Sequence, residues 1–214
     1  MQIYLETADP RELGEALSFR VVDGVTTNPA LLARMNGDPH LRLKELCEMV
    51  KGPVLASTTS LETEGMVAEA LALAEVHERL VVKVPCLPAA LPAMAELAER
   101  RVPVEATLCF SLSQALLAAK TGVHFISPMV GRLDEAGQDG LTLVGNILTV
   151  YDQYQFKTRV IAGGCRTATH VAEAARMGAD AATLPLGLLR TLAAHPLSTK
   201  VQREFAESWR KGQN

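Results

Sequence analysis

Lys83 is the residue whose place in the sequence points most directly to chemistry. It lies inside the apolar run Leu80-Val81-Val82-Lys83-Val84-Pro85, which is typical of a strand buried on both faces. Burying an ammonium group is unfavourable unless it is paired, and desolvation lowers the pKa of a buried lysine amine. A neutral amine can attack a carbonyl carbon and form a Schiff base. The run therefore supports two interpretations, a Schiff-base lysine or a lysine paired with a carboxylate.

Polar residues also end most of the other apolar runs. Structural reasons alone would place Val, Ile or Ala at such positions, so their recurrence predicts one shared site. They are Glu6, residues 26–28 (Thr-Thr-Asn), Ser57, Glu105 with Thr107, Ser127, and residues 163–166 (Gly-Gly-Cys-Arg).

The elements that position these residues are eight short runs rich in Val, Ile and Leu, separated by segments of helical spacing. Such alternation indicates parallel strands, and eight units predict a closed (β/α)8 barrel, whose functional side chains gather at the carboxyl ends of the strands. The rival is an open doubly wound sheet, but the chain lacks the glycine-rich nucleotide loop typical of that fold. The predicted strands are residues 2–6, 24–27, 53–57, 80–84, 102–109, 123–128, 158–163 and 181–185.

We expect residues 1–214 to form a single barrel domain. After the eighth unit, residues 199–211 are predicted to form an extra C-terminal helix that carries Val201, Phe205 and Trp209 on one face.

The composition excludes several classes of function. The 214 residues include 21 Lys+Arg and 24 Asp+Glu, a formal charge of −3, which argues against a nucleic acid or a membrane as partner. No apolar stretch approaches the ~18 residues of a membrane helix, and the N-terminus lacks the pattern of a signal peptide. The four cysteines and five histidines show no metal-ligand spacing. We therefore expect a cytoplasmic protein with no metal site.

Several motifs resemble those of the short-form transaldolase family, which includes the fructose-6-phosphate aldolases. The resemblance runs essentially from end to end. It implies a class I enzyme, without metal or organic cofactor, that cleaves a ketose phosphate at the C3–C4 bond and passes a dihydroxyacetone unit to an aldose phosphate, as in the pentose phosphate pathway. The matching segments are 24–29 (GVTTNP), 64–66 (EGM), 82–85 (VKVP), 107–111 (TLCFS), 114–120 (QALLAAK), 127–134 (SPMVGRLD) and 195–197 (HPL).

The resemblance also implies roles for individual residues. Lys83 matches the lysine that forms the Schiff base with the C2 carbonyl, and Thr107 matches the threonine that positions a catalytic water. Asn28 and Ser127 match residues that hydrogen-bond the three-carbon unit, while two arginines match the basic residues that hold the phosphate. The predicted catalytic residues are thus Lys83, Glu6, Thr107 and Glu105, and the predicted substrate-binding residues are Asn28, Thr27, Ser57, Ser127, Arg132 and Arg166.

Three of the predicted site residues depart from the family pattern. Glu6 stands where the family has an aspartate that acts on the C4 hydroxyl, and its stem is one methylene longer. Ser57 replaces a Glu or Gln that works with Thr107 on the water, and Glu105 replaces an asparagine. One interpretation, which we favour, is that Glu105 supplies the carboxylate lost at Ser57. The other is that Glu105 pairs with Lys83 and holds the amine as an unreactive ammonium.

The substrate and the assembly are less specified. Gly164 replaces a serine near the phosphate site, and Met129 stands where transaldolases commonly have Phe and the aldolases Tyr. Motif 127–134 favours a transaldolase. The alternatives are an aldolase that releases free dihydroxyacetone, a degenerate barrel that only binds a sugar phosphate, and a Schiff-base enzyme for another carbonyl compound.

The resemblance implies a pentamer or decamer in which the C-terminal helix packs on a neighbouring subunit. The apolar face of this helix would equally cover its own barrel.

Overall fold

The eight strands form one closed parallel barrel in a computed structural model that describes residues 1–213. Each strand pairs with the next, and the last pairs with the first, in the order β1 to β8. The (β/α)8 prediction is therefore confirmed. The first and last residues of every predicted strand lie within two residues of the observed bounds. The strands are β1 Gln2–Glu6, β2 Gly24–Thr26, β3 Val54–Ser57, β4 Leu80–Pro85, β5 Val104–Cys109, β6 Phe125–Pro128, β7 Arg159–Ala162 and β8 Ala181–Leu184.

Helices connect the strands and surround the barrel. The first three begin at a capping side chain followed by proline, which satisfies the free amide groups of the first turn and presets the helical φ angle. The helices of residues 1–213 are α1 Pro10–Ser18, α2 Pro29–Ala33, α3 Pro39–Met49, α4 Thr63–Ala74, α5 Ala90–Glu99, α6 Leu112–Lys120, α7 Val130–Glu135, α8 Gly140–Gln153, α9 Ala168–Met177, α10 Leu186–Leu192 and α11 Pro196–Gly212.

The buried residues form two layers because side chains alternate between the two faces of each strand. The larger cluster, which includes Leu5, Ala56 and Val82, lies between the strands and the helices. The smaller cluster fills the interior of the barrel below its mouth. Its members are Tyr4, Leu55, Val81, Phe125, Ile161 and Ala181.

The C-terminal helix α11 starts three residues earlier than predicted and ends one residue later. The earlier start has a local cause, since His195 Nδ1 accepts a hydrogen bond from Leu197 N and Pro196 occupies the first turn. No residue of α11 is buried; Phe205 is 66% exposed and Trp209 is 70% exposed. The alternative that this apolar face covers its own barrel is therefore wrong.

No helix within residues 1–213 combines the length and the apolar character needed to cross a membrane. That the whole chain forms a single domain stays a prediction.

Candidate active site

A cavity of about 820 Å³ opens at the carboxyl ends of the strands, where the barrel fold leads us to expect a site. All ten residues that the sequence singled out line this cavity. They are Glu6, Thr27, Asn28, Ser57, Lys83, Glu105, Thr107, Ser127, Arg132 and Arg166.

Strand alternation explains why these residues converge. Positions two residues beyond the interior cluster face the same way, and they meet the solvent-filled mouth instead of the packed interior. Ser57, Lys83 and Glu105 are register partners on consecutive strands β3, β4 and β5. The cavity-lining positions of this kind are Glu6, Ser57, Lys83, Ser127, Gly163 and Thr183.

The amine of Lys83 is held by oxygen atoms of the neighbouring strand β2. Its Nζ donates to Thr26 Oγ1 over 2.9 Å and to the Thr27 carbonyl oxygen over 3.1 Å. Within residues 1–213, no carboxylate lies within 4.0 Å of this nitrogen. The lysine is thus fixed by neutral acceptors and faces a cavity large enough for a ligand, which is the arrangement that a nucleophilic amine requires.

Glu105 is almost fully buried, with 1% of its surface exposed. Burial raises the pKa of its carboxyl, while the charge of Lys83 and hydrogen bonding by the hydroxyls of Ser127 and Thr107 act against that rise. Its Oε2 is buried and has no hydrogen-bond partner among residues 1–213. The interpretation that Glu105 forms an ion pair with Lys83 is wrong for the part of the chain described. Instead, the cavity contains a buried carboxyl group with an unused oxygen beside the lysine.

Thr107 lies at an irregularity in β5. The register between β5 and β6 shifts between Ala106 and Cys109, where β5 has one residue more than its partner. Leu108 adopts a φ of +53°, which is unusual for a residue other than glycine. Such a bulge redirects the neighbouring side chains, and here Thr107 and Leu108 both line the cavity, Thr107 buried and Leu108 exposed.

Ser127 is buried near the end of β6, and its side chain lies against Gly163, the residue that follows β7. A Cβ atom at Gly163 would lie 2.5 Å from Ser127 Oγ and 3.0 Å from the Pro128 carbonyl oxygen, so a larger residue there would displace Ser127. The neighbouring Gly164 has a φ of +65°, a conformation that suits glycine and not the serine of the family pattern.

The two predicted phosphate ligands differ in their surroundings. Arg166 Nη1 donates to Glu6 Oε2 over 2.7 Å, an ion pair that spans from the loop after β7 to the end of β1. Hydrogen bonding to Glu6 raises the pKa of the Arg166 guanidinium. Arg132 on α7 also lines the cavity, and within the described residues it forms no ion pair.

The backbone of Arg166 is fixed by two side chains from the helices nearby. Its amide N donates to His170 Nδ1 over 3.2 Å, and His170 Nε2 lies 2.7 Å from Asp134 Oδ2. Asp134 also accepts from the Gly140 amide over 3.0 Å. The last residue of motif 127–134 therefore helps to hold the loop that carries Arg166.

Two predicted substrate ligands have structural partners. The Thr27 hydroxyl donates to the Leu55 carbonyl oxygen over 2.9 Å, so this residue reaches Lys83 through its backbone oxygen. Asn28 Oδ1 accepts from Leu31 N over 2.9 Å and caps α2, which leaves the amide nitrogen to face a ligand.

Several polar residues that line the cavity are not among the predicted site residues, and three of them bear on its geometry. Thr26 binds the amine of Lys83, and Arg34 lines the cavity at the end of α2. Thr183 also lines it and accepts from Gly164 N over 2.7 Å. Strand alternation identifies Thr26 and Thr183, whereas nothing in the spacing marks Arg34. No group of three or more His, Cys, Asp or Glu residues that could hold a metal ion occurs within residues 1–213.

Comparisons with known proteins agree with this geometry. A family model described as "Transaldolase/Fructose-6-phosphate aldolase" matches residues 3–214. A probable transaldolase of Desulfosudis oleivorans is 44% identical over 211 residues, which cover 99% of this chain and 99% of the relative. A probable transaldolase of Rhodospirillum centenum is 45% identical over 217 aligned residues, which cover 100% of this chain and 94% of the relative.

A solved structure of a mandelate oxidase mutant with a monooxide FMN adduct has a TM-score of 0.62 and 14% identity, covering 90% of this chain and 67% of the other. At that identity, the likeness shows the barrel fold alone.

Proposed function

The chain belongs to the transaldolase/fructose-6-phosphate aldolase family, and we propose that it is a transaldolase that works through a Schiff base on Lys83. Its donor substrate is a ketose phosphate and its acceptor is an aldose phosphate. The observation that carries the proposal is the environment of Lys83, which lines the cavity and, within residues 1–213, binds only Thr26 Oγ1 and the Thr27 carbonyl oxygen. A structural lysine in a barrel would instead be paired with a carboxylate.

The first chemical steps need a proton donor beside the lysine. Attack of the Lys83 amine on C2 gives a carbinolamine, and its hydroxyl leaves as water once it is protonated. The nitrogen lone pair then forms the iminium bond. Glu105 supplies this proton because burial raises its pKa and favours the carboxylic acid. The resulting carboxylate lies near the iminium cation and stabilises it.

Glu105 thereby takes over the acid/base role that Ser57 cannot perform. Both residues are register partners of Lys83, one on each neighbouring strand. An acidic group on β5 therefore lies at the same level of the barrel as one on β3 would. Thr107 lies two residues beyond Glu105 and positions the water that later hydrolyses the Schiff base.

Cleavage of the C3–C4 bond needs a base at the C4 hydroxyl, and we assign this role to Glu6. Its carboxylate accepts the hydroxyl proton, and C4 becomes the aldehyde carbon of the departing aldose phosphate. The C3–C4 electron pair forms the C2=C3 bond of an enamine, and the π pair of the iminium bond returns to the nitrogen. Asn28 and Ser127 hold the three-carbon enamine that stays on Lys83. The enamine then adds to the aldehyde of the acceptor by the reverse of these steps.

The phosphate groups bind Arg132 and Arg166 at the mouth of the cavity. Two guanidinium groups can provide bidentate hydrogen bonds to a dianion.

We propose no cofactor for this reaction, and we assign the enzyme to the pentose phosphate pathway of the cytoplasm. The four buried free cysteines, Cys47, Cys86, Cys109 and Cys165, support a reducing compartment.

The proposed assembly is a homo-oligomer, a pentamer or decamer. The exposed apolar face of α11, formed by Leu197, Val201, Phe205 and Trp209, supports it because a face of this kind is typical of a protein interface.

A transfer assay tests the proposed reaction. With fructose 6-phosphate as donor and a four-carbon aldose phosphate as acceptor, we expect a seven-carbon ketose phosphate and a three-carbon aldose phosphate. Little free dihydroxyacetone should form. Release of free dihydroxyacetone at the same rate with and without acceptor would contradict transfer and indicate an aldolase. Absence of any turnover would favour the degenerate barrel.

A further inference from the structure

The ion pair between Glu6 and Arg166 joins two residues that have separate roles in the proposed function. Glu6 Oε2 and Arg166 Nη1 are 2.7 Å apart, and their side chains are 20% and 44% exposed. A carboxylate oxygen that accepts from a guanidinium is not free to face a substrate hydroxyl, and a guanidinium occupied by a carboxylate has fewer donors for a phosphate. While the pair is intact, each residue is therefore partly blocked.

The pair depends on the longer stem that distinguishes Glu6 from the aspartate of the family pattern. An aspartate at position 6 would be one methylene shorter, and its carboxylate would lie farther from the guanidinium. The contact is thus a property of this chain's own sequence.

The surroundings of Arg166 allow its side chain to move while its backbone stays in place. The backbone amide is held by His170, which is bound in turn by Asp134. The side-chain stem passes close to Gly131, where a Cβ atom would lie 2.9 Å from Arg166 Cγ. Gly131 therefore leaves room for the stem, and the side chain as a whole is 44% exposed.

A phosphate dianion is a stronger partner for a guanidinium than a single carboxylate, because it carries more charge and accepts in a bidentate geometry. Arg132 lines the same cavity and is unpaired within residues 1–213, so it can bind the phosphate first.

We propose that Glu6 competes with the phosphate of the substrate for Arg166. When the phosphate binds Arg166, the Glu6 carboxylate is released and can act on the C4 hydroxyl. The proposal rests on the proposed function for the role of Glu6 in catalysis, but the competition itself does not. Its consequence is selectivity, since a sugar without phosphate would leave the base bound to Arg166.

Binding of inorganic phosphate, measured by isothermal titration calorimetry, tests the competition without turnover. Glu6→Gln removes the charge of the competitor and should tighten phosphate binding about tenfold. Glu6→Asp, with its shorter stem, should change the affinity in the same direction. The matched control is Glu135→Gln, because the charge of Glu135 acts on Arg166 without a hydrogen bond. It should change the affinity by less than about twofold.

Unchanged phosphate affinity in both Glu6→Gln and Glu6→Asp would overturn the competition and leave the transaldolase proposal intact. An equal gain in Glu135→Gln would also overturn it, since net charge would then explain the effect. Tighter binding in the Glu6 variants of a chain that forms no Schiff base would support the competition while contradicting the proposed function.

A second measurement tests the coupling to catalysis. With unphosphorylated fructose as donor, added phosphite dianion should stimulate cleavage by the unmodified enzyme several-fold, because it releases Glu6. Phosphite that binds without stimulating cleavage would overturn the coupling.

Discussion

Lys83 and Glu105 are register partners on adjacent strands, and yet the amine binds Thr26 and Thr27 instead of the carboxylate. The separation of the two groups leaves a buried carboxyl with an unused oxygen, Oε2, beside the lysine that we assign as nucleophile. Both groups are available for chemistry for this reason, whereas an ion pair between them would hold the amine as an ammonium and the acid as a carboxylate.

The role of Glu105 as an acid predicts the effect of its removal. Glu105→Asn restores the residue of the family pattern but removes the proton donor, and it should lower kcat by roughly 10²-fold. The kcat of the unmodified enzyme should fall as the pH rises through the raised pKa of Glu105, and this decline should be absent from the variant. Steady-state kinetics across pH measures both. Higher activity in Glu105→Asn would mean that Glu105 restrains Lys83.

The raised pKa of Glu105 also predicts a dependence of stability on pH. The folded chain keeps this proton at pH values above the usual 4.5, at which the unfolded chain has released it. The free energy of unfolding should therefore fall as the pH rises from that value through the folded pKa. Glu105→Gln lacks this group, so the free energy of unfolding of the variant should rise relative to that of the unmodified protein between pH 5 and pH 8. Urea unfolding at both pH values measures it, and an equal difference at each would contradict the prediction.

Thr26 positions the amine of Lys83, so its hydroxyl should matter for the first chemical step. Thr26→Val keeps the shape but removes the hydrogen bond, and we expect Schiff-base formation to slow about tenfold. Thr26→Ser keeps the hydroxyl and serves as the control. The rate of borohydride inactivation in the presence of fructose 6-phosphate measures the step. Equal rates in the two variants would exclude a positioning role for the hydroxyl.

The exposed face of α11 predicts an assembly that point substitutions can disrupt. The double variant Phe205→Glu and Trp209→Glu places charges on this face and should shift the protein to a smaller species in light scattering. Arg203→Glu, on the opposite face of the same helix, changes the net charge by the same amount and should leave the mass unchanged. An unmodified protein that is already monomeric would contradict the proposed assembly.

Much of the fold follows from short-range patterns. The strands were predictable because their apolar runs alternate with helical segments, and β1 was predicted with its observed bounds, Gln2–Glu6. The residues at the barrel mouth were predictable because strand ends of a barrel converge. The partners of those residues were not, since Glu6 reaches Arg166 across the mouth and spacing along the chain does not encode that distance. The hydrogen bond from the Thr27 hydroxyl to β3 was not predictable either, because it depends on the register of the two strands.

The central claim is that Lys83 forms a Schiff base with a ketose phosphate, and borohydride trapping tests it most directly. The protein is treated with fructose 6-phosphate and borohydride, digested, and mapped by mass spectrometry, with Lys83→Met as the control. We predict a stable adduct on the peptide that contains Lys83 and none in the variant. An adduct on another lysine, or no adduct with several ketose phosphates, would contradict the claim.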